Sequence, residues 1–180
     1  LIAYREVARK YRPDVVLIGF CLNDVAEMQN NLMRPPKSVA LAQKYSNVFR
    51  ALLQSEAREI AQVEELFESS EAPNIRKAWK LTLQEIKTLA DEVKADGAHF
   101  VLVVFPFRLQ IAEDAPHPIP QDKLSEFAQA NDIKYFDLLP TLRETGESAF
   151  IDYDHLSVLG AQQAAKAIID ANAIPFEDEK

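Results

Sequence analysis

The chain has 180 residues, 48% hydrophobic and 27% charged, which suits a packed core and argues against wholesale disorder. Its 20 Lys and Arg against 28 Asp and Glu leave a formal charge of −8 with no basic block, so nucleic-acid binding is disfavoured. A single cysteine, Cys21, excludes an internal disulfide, the three histidines (His99, His117, His155) lack metal-ligand spacing, and the longest apolar runs are far shorter than the roughly 20 residues of a membrane span.

The pattern over residues 1–10 reads as the last turns of a helix, ended by Arg12-Pro13. Residues 14–20 (DVVLIGF) are β-branched and almost continuously apolar, as a strand covered on both faces requires. A broken, highly charged helical stretch is expected over 38–68, more a solvated helix than a lid. A second helix follows, capped by Asn74, with Trp79, Leu83, Ile86, Ala90 and Val93 at helical spacing and Gly97 at its C-terminal end. Phe100–Phe105 is the second strand, stopped by Pro106. After a loop containing Pro116, Pro118 and Pro120, a short helix is expected over 121–131 and a third strand over Ile133–Phe136. The last helix begins after the N-cap Ser157, with Ala161, Ala164, Ala165 and Ile168 on one face. Strands alternating with helices predict one α/β domain over 1–180 with a parallel sheet. Three strands are few for this class, and one or two more are expected on the N-terminal side.

Reactive loops of such sheets lie beyond the carboxyl ends of the strands. After the first strand comes Cys21-Leu22-Asn23-Asp24. The Asn23 amide can donate to a developing oxyanion, although Asn-Asp also simply turns a chain. Before the last helix comes Asp152-Tyr153-Asp154-His155. A carboxylate three residues ahead of a histidine can hold the ring's tautomer and stabilise the imidazolium, leaving the histidine as a general base. A solvated surface histidine beside acids would look the same in sequence. The segment Pro106–Gln110 lies on the same rim, where Arg108 reads as a solvated charge. Cys21, following a buried strand, reads as a small core residue rather than a nucleophile.

Together these segments resemble the SGNH (GDSL-type) hydrolases. Residues 12–24 (RPDVVLIGFCLND) are similar to that family's third conserved block, and residues 150–160 (FIDYDHLSVLG) to its fifth, with its Asp-x-x-His. The strand 100–105 with Pro106, and residues 135–140 (YFDLLP), fall where the family has comparable segments. The resemblance implies a three-layer α/β/α sandwich with a flavodoxin-like parallel sheet, and hydrolysis or transfer of acyl esters without metal or organic cofactor. It makes Asn23 an oxyanion donor, His155 the general base and Asp152 its orienting partner. Asp154 is a rival carboxylate that the family spacing disfavours. The implied substrate is a small-molecule or carbohydrate ester.

The family's nucleophilic serine precedes the Asn block, but here the first serine is Ser38. Neither a Gly-Asp-Ser stretch nor GxSxG occurs, Gly19 is the first glycine, and Cys21 stands where the family usually has glycine. The expectation is a piece beginning after the family's first two strands, without serine-esterase activity of its own. Its first strand would then expose an edge and invite self-association. The competing expectations are an O-acyltransferase acting on a carbohydrate, which uses the same triad, and a non-catalytic α/β binding module.

Overall fold

The computed structural model describes residues 1–25, 56–68 and 71–175. Three strands form where the β-branched and aromatic runs predict them: β1 (Val15–Cys21), β2 (His99–Phe105) and β3 (Lys134–Asp137). They pair in parallel in the order β1-β2-β3, with Val15 opposite His99, Cys21 opposite Phe105, and Val104 opposite Asp137. The described residues therefore form an α/β fold around a parallel sheet. Central β2 is buried from Phe100 to Val104, whereas β1 leaves Leu17 38% exposed. β1 pairs with β2 alone among the described strands, so its other edge is open there.

The α-helices among the described residues are α1 (Ile2–Glu6), α2 (Glu56–Glu68), α3 (Pro73–Ala95), α4 (Ile119–Ala130), α5 (Leu139–Thr145) and α6 (Val158–Asp170). The chain divides into two compact units, Leu1–Cys21 with Leu83–Lys180, and Leu22–Thr82. In the first, Val101 and Val103 of β2 join Leu139 and Leu142 of α5, Phe150, and Ala164 of α6 in one apolar cluster. The α1 segment is tied to α3 by the Tyr4 hydroxyl on Asp96 (2.6 Å) and by the Arg5–Glu92 and Arg9–Asp96 ion pairs. The second unit buries Leu22, Val25, Val63, Leu66, Phe67, Ile75 and Trp79. The helical expectation over 38–55 lies outside the described residues; the described α2 buries one face rather than lying wholly solvated.

Helix ends follow local chemistry. At the end of α3, Gly97 takes φ +85°. The Gly97 N–H donates to Lys94 O and the Ala98 N–H to Val93 O, the two bonds of a Schellman cap. Ser157 caps α6 as expected, accepting from the Gly160 N–H at 3.1 Å.

Four boundaries differ from the sequence reading. The N-terminal helix tightens into a 3-10 turn at Ala8–Tyr11. α3 starts at Pro73, which places Asn74 inside the first turn rather than at the cap. α4 starts at Ile119, with Pro120 in a first turn where a missing N–H costs nothing. β3 is shifted by one residue and ends at Asp137. In addition, α5 occupies a stretch read as loop. Pro140 lies in its first turn, where a missing N–H costs nothing, and burial of Leu139 and Leu142 secures a helix too short to show periodicity.

Candidate active site

The Asp152–His155 loop is clamped at its base. Phe150 and Leu156 form an antiparallel bridge, the Ile151 N–H donates to His155 O (2.9 Å), and the Ser157 N–H donates to Ala149 O (2.8 Å). Gly160 permits this, because a Cβ there would sit 2.1 Å from Ala149 O. The first turn of α6 therefore lies directly on the backbone that begins the loop.

Within the loop, Asp152 acts as a local cap and as a partner of the imidazole. Its Oδ1 accepts from the backbone N–H of His155 (2.8 Å) and of Asp154 (3.1 Å). Its Oδ2 lies 2.9 Å from His155 Nδ1. These hydrogen bonds, chiefly the one from the His155 backbone N–H, hold the Asp152 carboxyl down at about 2. The His155 side chain is 70% exposed. With Nδ1 turned onto a carboxylate, the proton of the neutral ring belongs on Nδ1 and the basic lone pair on Nε2.

Asp154 is brought equally close, with Oδ1 2.8 Å from His155 Nδ1 and a side chain only 9% exposed. Proximity alone thus does not separate the two carboxylates. Asp152 in addition accepts the two backbone N–H groups of the loop, so its carboxylate both shapes the loop and meets the ring. The ligand atoms of Asp152, Asp154 and His155 lie within 4.8 Å of one another, a spacing that a cation could also bridge. At the Nδ1 distances observed, a shared proton satisfies the same groups.

The loop rests on the turn that follows β2. The Arg108 N–H donates to Tyr153 O (2.8 Å), the rings of Phe107 and Tyr153 are 5.7 Å apart, and Arg108 Nη2 donates to Glu147 (2.7 Å). Arg108 is therefore exposed, as expected, and paired. Beneath it Gln110 and Gln121, 1% and 3% exposed, form a buried amide pair that the sequence did not single out. At the end of β3, burial pushes the Asp137 carboxyl up, against its hydrogen bond from the Leu139 N–H. Burial and the Asp137 charge push the Tyr135 hydroxyl well above its usual range.

The structure brings together Asp152 and His155. Asn23 belongs to the other unit, where it is half-buried with helical backbone two residues after β1. Cys21, the last residue of β1, is half-buried. No protein-family model, curated protein or solved structure matches the chain.

Proposed function

We propose that this chain carries the acid–base half of an SGNH-type ester hydrolase, in a three-layer α/β/α sandwich whose first two strands and nucleophilic serine precede residue 1. The observation that carries the reading is the Asp152 carboxylate on His155 Nδ1 at 2.9 Å, in a clamped loop with the ring exposed. Among the described strands β1 pairs with β2 alone, an arrangement that supports further strands beside it.

In this reading, His155 Nε2 removes the proton of the serine hydroxyl as its oxygen bonds to the ester carbonyl carbon. The carbonyl oxygen becomes an oxyanion, for which the Asn23 amide is a donor. Collapse breaks the acyl–oxygen bond, and the imidazolium returns its proton to the departing alcohol. Water then repeats the sequence on the acyl-enzyme and releases the acid. Asp152 keeps the proton of the resting ring on Nδ1 and stabilises the imidazolium, without itself being protonated.

Two measurements test this. The 180-residue chain is expected to hydrolyse p-nitrophenyl acetate no faster than buffer; a rate well above buffer that His155→Ala abolishes would place the nucleophile inside the chain. The source reading frame is expected to encode a strand and Gly-Asp-Ser within roughly one hundred codons upstream of Leu1, the length of two βα units. A start codon directly before Leu1 would refute the proposal and leave a non-catalytic module.

A further inference from the structure

The Gln110–Gln121 pair is an unusual thing to bury. Gln110 Nε2 donates to Gln121 Oε1 at 2.8 Å, and Gln110 Oε1 accepts from the Phe107 backbone N–H at 2.9 Å. The Gln110 carbonyl accepts from Arg143 Nη2 at 2.7 Å. Gln121 Nε2, also buried, has no acceptor among the described residues. A buried donor without an acceptor costs stability, and two apolar side chains of similar size would avoid that cost. What the pair supplies is position. Gln110 holds both ends of the 3-10 turn Arg108–Gln110, since its side chain grips the N–H of Phe107 and its own N–H closes on Phe107 O at 2.9 Å. That turn presents the Arg108 N–H to Tyr153 O, and Phe107 presents its ring to Tyr153, the residue that follows Asp152 in the reactive loop.

We propose that Gln110, braced by Gln121, is the positioning residue of the Asp152–His155 pair, acting through the Arg108 N–H···O=C Tyr153 hydrogen bond. It touches neither member of the pair. It fixes the height and tilt of the loop, and so decides whether a carboxylate oxygen meets Nδ1. The inference rests on reading Asp152–His155 as an acid–base pair, and the test separates the failure of one from the failure of the other.

The readout is the imidazole tautomer of His155 in the full 180-residue chain. It is measured above the ring's titration by 15N-detected long-range correlation spectra, with His99 as internal reference. The wild type is expected to hold the Nδ1–H form. If it shows the tautomer balance of a free histidine, the acid–base reading itself fails, and the positioning claim with it. Given a wild-type preference, Arg108→Pro and Arg108→Ala isolate the link. Both delete the charge and the contact with Glu147, but only proline deletes the N–H, at the first position of a turn where its ring is tolerated. Arg108→Pro is expected to reduce the Nδ1–H to Nε2–H ratio by about threefold or more, within the worth of one net hydrogen bond, and Arg108→Ala to leave it unchanged. Gln110→Met, similar in length and without the amide, is expected to lower the ratio as Arg108→Pro does. A wild-type ratio in Arg108→Pro, or in a cooperatively melting Gln110→Met, overturns the proposal. Should Gln110→Met not melt cooperatively, Arg108→Pro decides, because it alters one exposed turn position.

Discussion

At the scale of single residues, the pH response of Asp152 and Asp137 has opposite signs. The Asp152 carboxyl is held at about 2 in the folded chain, below its ordinary value of 3.8. Its contribution to stability is complete above about pH 4 and is lost as pH falls through about 2. Asp152→Asn keeps an acceptor for the two backbone N–H groups but loses the charge, so its stability should fall less steeply than wild type between about pH 5 and 2. Thermal melts followed by circular dichroism across that range check this, and parallel slopes would contradict it. Asp137 is raised by burial, so ionisation costs stability at neutral pH and the cost disappears as the solution is acidified. Asp137→Asn, which can still accept from the Leu139 N–H, should melt higher than wild type at pH 7 and lose that advantage in acid. The closeness of Asp152 to His155 was legible in the Asp-x-x-His spacing, because the relation is local. The closeness of Asp154 Oδ1 to the same ring nitrogen, and the grip of Gln110 on Phe107, depend on backbone geometry that spacing does not carry.

Among the elements, two glycines do different work. Gly97 has a positive φ with open space around its Cα, so Gly97→Ala meets backbone strain of about 1 kcal/mol and no clash. Gly160 has an ordinary helical backbone, but its Cα faces the carbonyl of Ala149, which a methyl group would approach to 2.1 Å. Gly160→Ala must push α6 off the loop, at a cost of about 2 kcal/mol or more. Urea unfolding should therefore rank Gly160→Ala clearly below Gly97→Ala, and equal losses would contradict the clamp. The same elements show what a sequence reveals. The continuous apolar runs announced β1 and β2, and Ser157 and Gly97 announced helix ends, because each reports a local requirement of the backbone. α5 stayed hidden because its helix exists through burial of Leu139 and Leu142 in the shared core, while Pro140 in its first turn imitates a stop.

On the scale of the whole molecule, the parallel sheet was legible from the alternation of strands and helices, and its order follows from β1-β2-β3 pairing. Among the described strands β1 has one paired edge, and Leu17 is exposed on this short apolar strand. Such an edge recruits other strands, and a charge placed there discourages them. The chain is accordingly expected to associate with rising concentration in sedimentation velocity, and Leu17→Lys to shift it toward monomer. A concentration-independent monomer in the wild type would argue that the edge is protected. None of the described helices is long and apolar enough to cross a membrane.

The central claim is that Asp152 and His155 serve a serine that the 180 residues do not contain. It is tested most directly by expressing the product of the source reading frame extended upstream of Leu1 and treating it with a fluorophosphonate. The account predicts one labelled serine, upstream of Leu1 in a Gly-Asp-Ser segment, with labelling abolished by His155→Ala. Absence of an upstream serine, or labelling that His155→Ala leaves intact, would contradict it.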